Sequence, residues 1–132
     1  MAEQISYKEA GVDIQAAAQL VGDIGELRAR TEKKRKLFGS FGLFAAGFDL
    51  SSYSEPVIFT GCDGVGTKLE LLLKYDLLEI AGKDLVAMSV NDILTTGADP
   101  IMFLDYIGVG KLDKEKISRV ITGIVDWCEA CD

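Results

Sequence analysis

The sequence predicts an α+β domain: a mixed or antiparallel β-sheet backed by helices on one face. Three observations lead there. Residues 56–63 (PVIFTGCD) and 99–110 (DPIMFLDYIGVG) are runs of β-branched and aromatic residues bounded by proline and glycine, which is strand chemistry. Residues 113–131 carry apolar side chains at Ile117, Val120, Ile121, Ile124 and Trp127, the spacing of one helix face. The full order reads helix, strand, strand, helix, helix, strand, helix.

Taken in chain order, Asp13 is placed to cap a first helix that runs to about Arg30, with Gly22 and Gly25 each weakening it by about 1 kcal/mol relative to Ala. RARTEKKRK follows and holds six of the fourteen Lys and Arg side chains. No interleaved aromatics or second basic stripe accompany this cluster, so it reads as a solvated helix end or linker rather than a nucleic-acid surface. Residues 37–49 (LFGSFGLFAAGFD) read as a glycine-rich turn entering a strand, and 56–63 as a second strand that starts at Pro56 and stops at a glycine loop. Thr67 can then cap a short helix, TKLELLLKYD, with Leu69, Leu72 and Leu73 on one side. A longer helix spans roughly Leu78 to Thr96, ended by Gly97 and closed off by Pro100. After the strand at 99–110, Asp113 caps the last helix, whose pattern is still running at Asp132. A chain that ends this way reads as a piece of something longer.

With 132 residues, 48% hydrophobic and 27% charged, the chain is of single-domain size and globular composition. Its net charge of −7 suits neither a nucleic-acid polymer nor, without local help, a phosphorylated ligand. No signal-like leader or membrane-length apolar run is present, which points to a cytoplasmic protein with no membrane partner. Cys128 and Cys131 form a lone C-x-x-C inside a helical segment, which reads as ordinary reduced thiols. Histidine is absent, so proton transfer within this chain falls to carboxylates, lysine, tyrosine or the substrate itself.

The chemistry concentrates in Gly61-Cys62-Asp63-Gly64-Val65-Gly66-Thr67-Lys68. Gly64 and Gly66 leave no side chain between backbone and ligand, so their N–H groups can approach phosphate oxygens, and Lys68 adds a positive charge within one helical turn. The glycine spacing is that of a P-loop, but the order Thr-Lys and the internal Asp63 are not. A bare carboxylate beside a polyphosphate is repelled by roughly 4 kcal/mol for unit charges about 4 Å apart at an effective dielectric near 20. Phosphate binding here therefore calls for a divalent cation such as Mg²⁺, which accepts carboxylate, water and phosphate oxygens together.

Further oxygens lie on residues 83–97 (KDLVAMSVNDILTTG). At about 100° per residue, Asp84, Met88, Asn91 and Thr95 share one stripe, and Asp92 stands about 80° from Asp84. Asn91 and Asp92 form a polar pair among Val90, Ile93 and Leu94. They either face water, cap a neighbour, or serve a ligand; burial without a partner is costly.

SYKEAGVDI (6–14), FGSFGLF (38–44), TGCDGVGTKLEL (60–71) and GKDLVAMSVNDILTTGADPIMFLDYIGVGKLD (82–113) together resemble the phosphoribosylformylglycinamidine cyclo-ligase family, also called aminoimidazole ribonucleotide synthetases, in order and over essentially the whole chain. The wider superfamily includes selenophosphate synthetase, thiamine-monophosphate kinase and the ATP-binding half of formylglycinamidine ribonucleotide amidotransferase, which use ATP without a P-loop. The resemblance implies a ligase of purine biosynthesis: ATP-dependent ring closure of formylglycinamidine ribonucleotide to aminoimidazole ribonucleotide, with ADP and phosphate released. It implies ATP and Mg²⁺ as cofactors, a phosphoribosyl substrate, and a homodimer whose sheets pair into a shared barrel. The long apolar runs at 56–62 and 100–109 are further reason to expect that pairing, since alone they expose sheet edge.

Carried over by position, Asp63 and Asp92 fall on the Mg²⁺–ATP aspartates. Gly64, Gly66 and Thr67 fall on the nucleotide loop, and Lys68 on a phosphate or transition-state charge partner. Lys8 falls on an N-terminal segment that closes over the nucleotide, and Asp84 and Asn91 on the polar wall of the site. Residues 1–132 then correspond to the N-terminal ATP-binding domain. The family's G-G-E-T-A-E segment and C-terminal α/β domain would begin beyond Asp132, so this chain alone is expected to lack cyclase activity. The turn at Lys36-Leu37-Phe38-Gly39-Ser40-Phe41 has fewer glycines than the family pattern. Two other readings are a superfamily kinase or amidotransferase domain, and a dimerisation module whose loop never meets nucleotide. Thr67-Lys68 and the YKEAGVD start favour the cyclase over the first; Mg²⁺-dependent nucleotide binding separates it from the second.

Overall fold

The structure, a computed structural model, describes residues 6–7, 10–32, 37–39, 42 and 45–131. Among these it is an α+β arrangement of four helices and one small antiparallel sheet. The helices are α1 (Ile14–Thr31), α2 (Lys68–Lys74), α3 (Leu78–Leu94) and α4 (Lys114–Cys131); the strands are β1 (Leu37–Phe38) and β2 (Gly47–Phe48). Leu37 pairs with Phe48 and Phe38 with Gly47.

Helix ends follow local chemistry. The Asp13 carboxylate accepts the Ala16 N–H at 3.0 Å, and the Asp113 carboxylate accepts the Lys116 N–H at 3.2 Å, so both aspartates cap as expected. Helix α3 stops at Leu94, where Gly97 takes φ +77° and donates its N–H to the Leu94 carbonyl at 3.0 Å. Thr67 occupies the N-cap position of α2 but makes no side-chain cap bond, contrary to expectation. Its backbone is already helical, at φ −65° and ψ −19°, whereas a capping side chain needs an extended residue to reach the N2 or N3 amide.

The core lies between α3 and α4. Leu78, Ala81 and Val86 of α3 are buried with Ile121, Ile124 and Val125 of α4, joined by Leu20 of α1 and Leu72 of α2. Glycine brings the two backbones together: a Cβ on Gly82 would lie 2.0 Å from the Val120 carbonyl oxygen, and one on Gly123 2.0 Å from that of Glu79. The junction is tied at its edge by Arg119, which donates to both Glu79 carboxylate oxygens at 2.7 and 2.9 Å and to the Asp76 carboxylate at 2.7 Å. These bonds hold the Glu79 carboxyl well below the usual range, at about 2. Arg30 of α1 pairs with Asp126 at 2.9 Å and with Glu129, fastening α1 to α4.

The burial differs from the sequence pattern at the periphery. Leu72 is buried, but Leu69 and Leu73 are exposed, and so is Trp127 on α4. For α2, a short helix packing on one neighbour covers a single side-chain row, so Leu69 and Leu73 beside that row remain in water.

The larger correction concerns the strands. Residues 56–63 and 99–110, both expected as strands, form no regular element and carry no ladder bonds among the described residues. A ladder is a property of two chains side by side, and strand composition alone does not supply the second. Val57, Leu104 and Tyr106 on these segments are 76%, 70% and 95% exposed. Asp105, in the second segment, is exposed as a residue, yet its carboxyl is partly desolvated near Cys128 and its pKa is raised. Here the shift reports the carboxyl group and the exposure reports the open backbone edge.

Candidate nucleotide loop on helix α3

The glycine loop stands against α3 at both of its ends. At the start, the Cβ direction of Gly61 points to the Asp92 Cβ and Ile93 Cδ1, each 3.6 Å away. At the end, Lys68, the first residue of α2, reaches back so that its Nζ lies 2.8 Å from Asp84 Oδ2. Asp84 and Asp92 are eight residues apart, about 12 Å along a helix axis. The loop therefore runs antiparallel to α3 and spans two of its turns.

Between those anchors the loop is open. No atom lies within 4 Å of a Cβ built on Gly64 or Gly66, and Gly66 takes φ +69°, a conformation that glycine adopts at no steric cost. The Asp63 carboxylate accepts the Gly64 N–H at 2.7 Å, closing a tight turn that holds the carboxyl at the loop's surface. Gly66 O accepts the Leu69 N–H and Thr67 O the Glu70 N–H, both at 3.1 Å, so the loop passes directly into the first turn of α2.

Of the expected site residues, Asp63, Gly64, Gly66, Thr67 and Lys68 lie on this one loop, with Asp84 and Asp92 on the facing helix. Asn91 is exposed beside Asp92, and its carbonyl accepts the Thr95 N–H at 3.3 Å. Asp92 is exposed, and its backbone carbonyl accepts the Thr95 hydroxyl at 2.7 Å. Lys8 lies outside the described residues. The Lys68–Asp84 pair does not follow from the sequence pattern: helical phase puts Asp84 on the site's wall, but which cation it meets depends on where α2 crosses α3.

Among the described residues, no three His, Cys, Asp or Glu side chains gather as a ready-made metal cage. The donor set nevertheless suits Mg²⁺, which is usually held by one or two carboxylates with the remaining positions filled by water and phosphate. Asp63 and Asp92 are two exposed carboxylates, one on the loop two residues past Gly61 and the other on α3 where Gly61 meets it. A calcium-type or zinc-type site would need more protein ligands than this. A recess of about 310 Å³ lies elsewhere, between 56–59 and the turn after α3, lined by Tyr53, Val57, Phe59, Thr96 and Ile101. Its lining is largely apolar and it does not include the glycine loop, so the polar chemistry resides on the loop.

Cys62, Cys128 and Cys131 are free thiols, and burial pushes the Cys128 thiol up to about 11, away from reactivity. No helix among the described residues is long and apolar enough to cross a membrane.

Comparison with known proteins is consistent along the chain. Residues 48–132 match the family described as AIR synthase related protein, N-terminal domain. The phosphoribosylformylglycinamidine cyclo-ligase of Oceanobacillus iheyensis is 47% identical over 125 residues, covering 93% of this chain and 37% of the relative. That of Aromatoleum aromaticum is 50% identical over 126 residues, covering 95% and 36%, and that of Streptococcus uberis 45% identical over 130 residues, covering 97% and 38%. The chain thus spans little more than a third of the length of these relatives. By these matches it belongs to the AIR synthase related protein family, within the N-terminal domain.

Proposed function

We propose that this chain is the ATP- and Mg²⁺-binding N-terminal domain of a phosphoribosylformylglycinamidine cyclo-ligase of purine biosynthesis. The reaction closes the imidazole ring of aminoimidazole ribonucleotide: the formyl-derived oxygen of formylglycinamidine ribonucleotide leaves as phosphate when an amine nitrogen attacks its carbon, with ADP as the other product. The observation that carries the reading is the open glycine loop laid along α3, with Asp63 and Lys68 on one side and Asp84 and Asp92 on the other. The 45–50% identity to cyclo-ligases supports the choice among ATP-using relatives.

In this role phosphate oxygens approach the backbone at Gly64 and Gly66 closely, because no Cβ stands in the way, and the Gly64 N–H becomes available as the Asp63 carboxylate that now accepts it turns to Mg²⁺. Asp63 and Asp92 would hold Mg²⁺, which when bound would supply positive charge against the negative phosphoryl oxygens. Lys68 supplies a second positive charge at the same loop, and its three donors can follow a moving oxygen. Catalysis of this kind rests on position and charge rather than on a proton-transferring imidazole, which fits a chain without histidine. The segments 56–63 and 99–110 would find their ladder partners in a second copy of the chain, giving the shared barrel of a homodimer. The remaining substrate contacts belong to the C-terminal part of the complete enzyme, so the chain alone binds nucleotide without closing the ring. The setting is cytoplasmic.

Calorimetric titration of ATP with and without Mg²⁺ tests the reading. Binding that needs Mg²⁺ and is lost in both Asp63→Asn and Asp92→Asn supports it; equal binding by the wild type and both variants refutes the assignment of these carboxylates.

A further inference from the structure

Among the described residues, three cations of α2, α3 and α4 are already engaged. Lys68 Nζ sits 2.8 Å from Asp84 Oδ2, with the two side chains 49% and 29% exposed. Lys83, the neighbouring lysine on α3, is turned to Asp126 of α4 at 4.0 Å. Arg119 is consumed by Glu79 and Asp76. Asp63 and Asp92 add two carboxylates, so with Lys68 and Asp84 cancelling each other the described residues of the loop and the facing helix leave an excess of negative charge where a polyphosphate would have to sit.

We infer that Asp84 competes with anions for Lys68, so that phosphate enters this loop more readily together with a divalent cation than without one. This rests on the reading that the loop binds phosphate, and adds to it a residue that sharpens the metal dependence set by Asp63 and Asp92. An exposed ion pair is weak, worth up to about 1 kcal/mol, and is therefore exchangeable. Once the charges of Asp63 and Asp92 are neutralised, Lys68 passes from the carboxylate of Asp84 to a phosphate oxygen. Without that neutralisation, Lys68 stays where its nearest anion is, and the metal-free nucleotide meets uncompensated carboxylates. Asp84 thus acts through Lys68 and need not touch the nucleotide itself.

The test measures the affinity of the chain for ATP in EDTA, and separately for ATP with Mg²⁺, by calorimetry at low ionic strength. Wild type is compared with Asp84→Asn, Asp84→Ser, Lys68→Gln and the Asp84→Asn/Lys68→Gln double variant, each checked for an unchanged melting temperature. Asp84→Asn is expected to tighten metal-free ATP binding by about fivefold, the most an exposed pair of this kind supports. That gain should vanish in the Lys68→Gln background. An equal gain without Lys68 would mean that only a distant charge was removed, and overturns the inference. So does the absence of any gain in whichever Asp84 variant melts like wild type. A wild-type chain that binds ATP with Mg²⁺, while neither Asp84 variant narrows the ratio of its affinities with and without the metal, sinks this inference alone. A folded wild-type chain that binds no ATP with Mg²⁺ sinks it together with the functional reading beneath it.

Discussion

Gly82 and Gly123 face opposite helices at the point where α3 and α4 touch: a Cβ on either would sit 2.0 Å from a carbonyl oxygen of the other helix. Neither obstruction is the flexible end of a side chain, so neither can step aside. Gly82→Ala and Gly123→Ala are each expected to destabilise the chain by about 1–3 kcal/mol in urea unfolding, despite the better helix propensity of alanine. Gly22 of α1 is the control, since its Cβ would meet nothing within 4 Å. There alanine should stabilise by up to about 1 kcal/mol.

Arg119 of α4 bonds Glu79 in the first turn of α3 and Asp76 just before that helix, and its bonds lower the Glu79 pKa from 4.5 to about 2. A carboxylate depressed in the folded state contributes stability that is fully present above its unfolded pKa and disappears as pH falls through its folded one. Arg119→Ala should therefore melt below wild type at pH 7, and the gap should narrow as pH is lowered from 4.5 toward 2. A gap independent of pH would assign the loss to packing of the arginine stem instead.

Asp105 has the opposite sign. Desolvation raises its pKa above 3.8, so its ionised form disfavours the fold above the folded value, and the penalty is relieved as pH falls toward the unfolded one. Asp105→Asn is expected to raise the melting temperature at pH 7 and to make no difference once pH drops below about 3.8. Thermal melts at several pH values decide it.

Capping separates two residues that look alike on paper. Asp13 accepts the Ala16 amide, whereas Thr67 makes no side-chain cap bond. Asp13→Ala should cost about 1 kcal/mol, and Thr67→Ala should change stability little, while weakening ATP binding if its hydroxyl serves the nucleotide.

The proposed dimer is tested at Leu104 and Tyr106, both largely exposed on a segment without ladder partners. Light scattering at tens of micromolar should give a dimer for wild type and a monomer for Leu104→Asp. A wild-type monomer would leave those side chains without the partner proposed for them.

Helix boundaries are legible in the sequence because the bonds that set them close within a few residues. Asp13 and Asp113 cap where their positions indicate, and α3 ends just before a glycine that takes positive φ. The glycine loop, its aspartate and its lysine can be read for the same reason, as neighbours in a short stretch. The strands at 56–63 and 99–110 are not decidable in this way, because β-branched composition describes a willingness to pair and a ladder requires a partner.

Local spacing was enough to place the four helices, the Asp13 and Asp113 caps and the glycine loop, though not to foresee that Thr67 makes no cap bond. Packing is what makes Gly82 and Gly123 set how closely α3 and α4 approach, and what puts Lys68 against Asp84. Both depend on how helices cross. That crossing is settled by packing between residues far apart in the chain, on which local spacing carries no information.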